Sequence, residues 1–220
     1  MIRAVIFDMD GVLIDSEIVY LSHQYKKLQP RYPWLTPEHL YPLVGMDSRE
    51  DKQFIGNLLG RDLSDPAFIR ELQGMFEDFT VDYSTIMRKE VPQVLSFLRQ
   101  NHIRIVLASS SSGDNIETVL HQCGIRSFFE CIISGEQFTR SKPDPAIYLY
   151  ALEQLRLPSD DCLIVEDSGY GIAAAKRAGV RTAALTDSRF NFDQSAADDH
   201  LSSLGELEGL ISRLNCMGGI

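Results

Sequence analysis

Residues 6–16 read IFDMDGVLIDS, with two acids placed directly behind an apolar run and directly ahead of a glycine. The residues leading into them, Ile2 to Phe7, are mostly β-branched or aromatic, the composition of a buried strand. Asp8 and Asp10 would then stand at the C-terminal end of that strand. Two carboxylates so close repel each other unless something positive lies between them. A metal ion, or a bound phosphate with its counter-ion, answers that demand. An EF-hand does not: Gly11 follows the second acid at once, Val12 takes the place of the third, and a strand rather than a helix leads in.

Working outward, short apolar runs recur at Arg104–Ala108, Cys131–Ser134, Cys162–Val165 and Arg181–Leu185. Helical patterns at Val91–Asn101, Asp114–Cys123, Pro145–Leu155 and Gly169–Ala178 alternate with them, and Gly124 and Gly179 stand where C-terminal caps belong. This alternation predicts an α/β protein, a Rossmann-like doubly wound parallel sheet covered on both faces. The interval from Ser16 to Lys89 breaks the rhythm and is too long for one crossover. Its periodicity predicts helices over Ser16–Leu28, Arg49–Leu59 and Pro66–Phe79, with Trp34 and nearby aromatics packing them. The expected organisation is a core of residues 1–15 and 84–220 with a helical insert at 16–83.

The composition of the 220 residues, 44% of them hydrophobic, is that of an ordinary globular chain. Four scattered cysteines form no CxxC pair and read as thiols in a reducing compartment. No apolar stretch reaches the ~18 residues a bilayer requires. The first strand begins without room for a signal peptide, so the cytoplasm is the expected location. A formal net charge of −10 argues against nucleic acid as the main partner, while a small anion held in a local positive pocket stays compatible with it.

Ligands of doubly wound sheets bind beyond the carboxyl ends of the strands. Those ends carry Asp8 and Asp10, then Ser109–Ser112 with Gly113, then Lys142–Pro143, then Glu166, Asp167 and Ser168. Four acids, a lysine and a run of hydroxyls thus converge on one rim. The histidines, His23, His39, His102, His121 and His200, fall away from it.

In this order and spacing the chain resembles the haloacid dehalogenase-like superfamily. DMDGVL at 8–13 is similar to its first motif, Ser109 to its second, Lys142 within SKPDP to its third and EDS at 166–168 to its fourth. The insert resembles the helical cap of the subgroup that includes β-phosphoglucomutase and small sugar-phosphate phosphatases. The resemblance implies that Asp8 is a nucleophile forming an aspartyl phosphate and that Asp10 is its acid and base. It implies Mg²⁺ held by Asp8, Asp10 (through its carbonyl), Asp167 and Glu166, the last ranked second. It also implies phosphate held by Lys142, Ser109 and Ser110, a small phosphorylated metabolite as partner, and a monomer.

Dehalogenating members lack an acid matching Asp10, and phosphonate-cleaving members need a cap lysine that Ser16–Gln24 does not supply. The stretch GMDSRED at 45–51 resembles the specificity loop of β-phosphoglucomutase, with Arg49 as the substrate contact and Gly45 giving the loop room. Tyr20 stands where that mutase has a histidine, and no lysine lies between Arg70 and Met87. A phosphatase acting on a sugar or polyol phosphate is therefore expected ahead of a phosphomutase. A non-catalytic phosphometabolite-binding protein and a phospho-accepting signalling protein are the alternatives of another class. The latter is disfavoured by acids that end the first strand and by the large insert.

Overall fold

Ala4–Phe7 (β1) has no polar side chain, and all its residues are inaccessible to solvent, because strands pair on both of its edges. The structure is a computed structural model describing residues 1–217 apart from Gly45, Asp47, Phe76, Asp78 and Asn191; the side chains of Ser48, Arg49 and Met217 are also outside the description. On one edge of β1 lies Arg104–Ser109 (β2), followed outward by Cys131–Ser134 (β3). On the other lies Cys162–Glu166 (β4), followed by Arg181–Leu185 (β5) and Asp199–Leu201 (β6). All pairs are parallel, in the order β3-β2-β1-β4-β5-β6. The order reverses at β1, so its carboxyl end opens into the crevice where such sheets bind ligands.

The chain divides into two compact units, Met1–Asp15 with Tyr83–Ile220, and Ser16–Asp82. In the first, helices Val91–Gln100 (α4), Gly113–Gln122 (α5), Ala146–Leu155 (α6), Gly169–Arg177 (α7) and Glu206–Met217 (α8) complete the α/β architecture; α4 to α7 follow the four forecast helices to within about a residue. Ile6, Val106, Ala108, Ile133 and Ile164 of the sheet pack with Ile147, Tyr148 and Ala151 of α6 and with Ala174 and Ala175 of α7. The small residues of α7 let its backbone approach the sheet closely. Ser112 and Ser168 cap α5 and α7, their hydroxyls accepting from the amides of Asn115 and Gly171.

The second unit contains Glu17–Leu28 (α1), Ser48–Leu59 (α2) and Pro66–Gly74 (α3), with a 3₁₀ segment at Pro37–Leu43. Leu21, Leu28, Leu40, Ile55, Phe68 and Leu72 are buried. Asp65 caps α3 by accepting from the Ala67 amide at 2.8 Å, with Pro66 at the first helical position.

Three expectations need correction. Helix α3 ends at Gly74 rather than Phe79, where a glycine costs a helix about 1 kcal/mol. Trp34 is 52% exposed and meets the His39 ring edge-on at 5.6 Å instead of filling an interior. Strand β6 and helix α8 had no counterpart in the sequence reading. Asn215 lies in α8 and accepts from the Ile2 amide at 2.6 Å. The four cysteines are free thiols. Among the described residues no helix is long and apolar enough to cross a membrane.

Candidate active site

The rim at the carboxyl ends of β1, β2 and β4 gathers most of the charged groups singled out from the sequence. Asp8 follows β1 directly, its amide donating to the Val165 carbonyl at 3.0 Å, and only 7% of the residue is exposed. Lys142, also buried, reaches it from the loop after β3: its Nζ donates to Asp8 Oδ1 at 2.5 Å, to Glu166 Oε1 at 2.7 Å and to the Ala108 carbonyl at 3.3 Å. The Lys142–Pro143 peptide is cis.

Glu166, the last residue of β4, is completely buried. Its Oε1 accepts from Lys142 and from the Tyr148 hydroxyl at 2.6 Å; its Oε2 accepts from the amides of Asp167 and Ser168 and from the Ser168 hydroxyl. A buried carboxylate is tolerated only with such a full set of donors. Tyr148 was not singled out from the sequence. It reads there as an ordinary apolar position of α6, and only the fold shows its hydroxyl beneath Glu166 and its ring 5.1 Å from Lys142 Nζ.

Gly11 explains how two acids from different strands come together. Its φ of +75° favours a residue without Cβ, and a Cβ there would lie 1.9 Å from Asp167 Oδ2. The turn after β1 and the end of β4 thus touch through a bare Cα. Gly171 does the same for Glu166, whose Oε1 would lie 1.7 Å from a Cβ at that position.

Asp10 accepts from the Ser111 hydroxyl at 2.8 Å. Ser109, fully buried, turns its Oγ to the Ser111 amide at 3.0 Å, and Ser134 donates to the Ser111 carbonyl at 2.8 Å. The serine run is therefore an ordered loop in which Ser111 touches Asp10, while Ser110 is half-buried. Ser111 was passed over because four consecutive serines look alike until the backbone separates them. Gly45 lies outside the described residues, and Arg49 falls in α2 with its side chain outside them.

Burial pushes the Asp8 carboxyl up to about 8; Lys142 pulls against this, while Glu166 and Asp10 reinforce it. Burial alone would lower the Lys142 ammonium, but Asp8 and Glu166 hold it well above its usual range. Burial, and then Glu166, push the Tyr148 phenol well above its own. One lysine thus falls short of balancing the surrounding carboxylates. Asp8, Glu166 and Asp167 each offer an oxygen within 4.8 Å of the others. An all-oxygen set with surplus negative charge suits a hard divalent cation such as Mg²⁺.

Comparison with known proteins agrees with this construction. A protein of Thermotoga maritima named phosphorylated carbohydrates phosphatase is 30% identical over 181 residues, covering 81% of this chain and 82% of that one. The (S)-2-haloacid dehalogenase 2 of a Pseudomonas species is 27% identical over 228 residues, covering 96% of both. The crystal structure of β-phosphoglucomutase from Clostridium difficile matches with a TM-score of 0.78 at 22% identity over 99% of both chains, a likeness of fold. The family model described as haloacid dehalogenase-like hydrolase matches residues 5–185, from inside β1 to the last residue of β5. Since that span takes in every strand end on which the acids, the serines and the lysine meet, the chain belongs to the haloacid dehalogenase-like hydrolases.

Proposed function

We propose that this hydrolase removes phosphate from a small phosphorylated metabolite, a sugar or polyol phosphate, through an aspartyl phosphate on Asp8. The chain is a phosphoric monoester hydrolase of its family, and Asp10 is the acid that phosphate chemistry requires of it. The observation that carries the reading is the buried Asp8–Lys142–Glu166 chain beside Asp10 and Asp167. It presents one carboxylate for attack and a cation for phosphate oxygens, with a second carboxyl on the neighbouring turn to handle protons.

In the first step an Asp8 oxygen bonds to phosphorus as the ester P–O bond breaks, and Asp10 gives its proton to the departing oxygen. In the second, water attacks phosphorus, Asp10 takes the water's proton, and phosphate leaves as the Asp8 carboxylate is restored. Lys142 stays beside Asp8 and partly neutralises the phosphoryl oxygens. Ser109, Ser110 and the amides of the following turn hold those oxygens ahead of α5. Glu166, with donors on both oxygens, keeps Lys142 in place. Asp8, the Asp10 carbonyl and Asp167, supported by Glu166, would hold Mg²⁺, whose charge lowers the Asp8 proton affinity and offsets the charge on the phosphoryl group. Arg49 and Gly45 belong to this proposal as substrate contacts on the strength of the sequence, and a cytoplasmic monomer is the form proposed.

The test is phosphate release from glucose 1-phosphate, glucose 6-phosphate, fructose 1-phosphate and glycerol 1-phosphate, with Mg²⁺ or a chelator, for wild type and Asp8→Asn. Release that needs Mg²⁺ and disappears in the variant is expected. Isomerisation of β-glucose 1-phosphate in the presence of a bisphosphate primer, without net release, would replace this reading with a phosphomutase. Binding without either reaction would leave a phosphometabolite-binding protein.

A further inference from the structure

Arg88 belongs to none of the motifs on the rim, yet its guanidinium ends on the turn that carries Asp10. It stands on the segment just ahead of α4, where the backbone is already tied: its amide donates to the Leu13 carbonyl at 2.9 Å, the Asp15 amide donates to the Ile86 carbonyl at 2.8 Å, and Ile14 pairs with Met87 in an antiparallel bridge. From that anchorage Nε and Nη2 both donate to the Gly11 carbonyl, at 3.0 and 2.7 Å. Nη2 also lies 3.9 Å from Asp15 Oδ1. Asp15 is itself restrained, since Arg189 donates to its two oxygens at 2.9 and 2.6 Å and to Asp187 Oδ1 at 2.9 Å.

Two donors on one carbonyl constrain its direction as well as its distance, which a single ammonium cannot do. Gly11 has a backbone conformation that favours glycine and has Asp167 against its Cα, so its peptides have little room to turn elsewhere. Asp10 is joined to it by one peptide bond, and on its far side accepts from Ser111. The Ser111 hydroxyl thus holds the Asp10 carboxyl, and Arg88 holds the backbone beyond it. The Arg88 side chain is 23% exposed, and it spends its forked donors on a neutral carbonyl.

We propose that Arg88 is a positioning residue for proton transfer: by holding the Gly11 carbonyl it keeps the Asp10 carboxyl aimed at the ester oxygen. This rests on the reading of Asp10 as proton donor. It has a chemical signature that a merely structural role lacks. A sugar alkoxide must receive a proton as the P–O bond breaks, whereas p-nitrophenolate leaves as a stable anion without one. Loss of Arg88 should therefore slow transfer to Asp8 from the first substrate and not from the second, while the later hydrolysis, in which Asp10 takes the water's proton, is common to both.

The experiment measures kcat/KM with Mg²⁺, which reports transfer to Asp8 and not the later hydrolysis, for p-nitrophenyl phosphate and for whichever of the four phosphates above wild type turns over fastest. The proteins are wild type, Arg88→Met, Arg88→Lys and Asp10→Asn. For Arg88→Met we expect kcat/KM on the sugar or polyol phosphate to fall about tenfold or more, within the range of proton-transfer catalysis. That for p-nitrophenyl phosphate should change little. Arg88→Lys, which keeps the charge but not the fork, should lie between; if the methionine variant does not fold, the lysine variant alone decides by the same difference. Equal losses of kcat/KM on both substrates, or none, in the Arg88 variants overturn the inference when Asp10→Asn shows the differential loss. If Asp10→Asn also depresses kcat/KM equally for both substrates, the proton-donor reading of Asp10 falls, and the inference falls with it.

Discussion

A methyl group on Gly11 would lie 1.9 Å from Asp167 Oδ2, on a backbone with φ +75°. Gly11→Ala should therefore displace either Asp10 or Asp167 and lower kcat by about a hundredfold or more, the scale of losing oriented groups. A lower thermal midpoint in the same variant would separate strain from a purely chemical loss. Lys142 is critical for a different reason. It donates to two buried carboxyl groups at once, and truncating one partner of a buried ion pair costs about 3–5 kcal/mol. Lys142→Met should show that loss in urea unfolding under chelator, and the deficit should shrink when Mg²⁺ is restored. Asp8, Asp10, Lys142 and Asp167 could be singled out in the sequence because the phosphoryl transfer proposed for them admits few substitutes. Tyr148, Ser111 and Arg88 escaped it, since a tyrosine on a helix, one serine among four and an arginine before a helix have many ordinary uses.

At the scale of elements, the end of β4 passes into α7 through Ser168, whose hydroxyl both accepts from the Gly171 amide at 3.0 Å and donates to Glu166 Oε2 at 3.2 Å. Ser168→Ala should lose about 1 kcal/mol of stability from the cap alone. Chemical denaturation would check this, with kcat falling more than KM rises as Glu166 loses a donor. The buried strands were readable from short β-branched runs because parallel strands covered on both faces lack a polar register. Strand β6 was not: of Asp199, His200 and Leu201 only the leucine is buried, and so short an edge strand carries no pattern. Helix α8 was missed since Gly209 interrupts its helix-forming run. Its tie through Asn215 to Ile2 joins the two ends of the chain and has no local signature.

For the molecule as a whole, proton and ion binding are linked. Without a further cation Asp8 keeps its proton up to about pH 8, whereas an unfolded aspartate loses it near 4. The folded protein then holds the extra proton between those values, so its stability in chelator falls as pH rises through them, by at most about 1.4 kcal/mol per pH unit. Lys142, held well above its usual range, stays protonated throughout that window and does not alter the sign. Asp8→Asn should flatten the slope. Mg²⁺ needs the carboxylate, so its binding should release protons at neutral pH and tighten from pH 6 to 8, measurable by titration calorimetry in buffers of different ionisation heat. Arg49→Ala should raise KM for the sugar or polyol phosphate about tenfold while sparing acetyl phosphate, which has no sugar to recognise, as expected for lost substrate binding.

The alternation of apolar runs with helical periods was enough to specify an α/β sheet with an insert, and acids, serines and lysine at strand ends were enough to specify phosphate chemistry. Both are local facts, set by side-chain period and by what each functional group can do. The sheet order that brings β4 beside β1 is not local, nor is the contact of Asp167 with the bare Cα of Gly11. The five donors around Glu166 and the fork of Arg88 on the Gly11 carbonyl likewise join residues far apart in the chain. Such arrangements follow from packing between elements, where burial converts ordinary side chains into constraints on charge, and no one-dimensional pattern records which neighbour a buried group will meet.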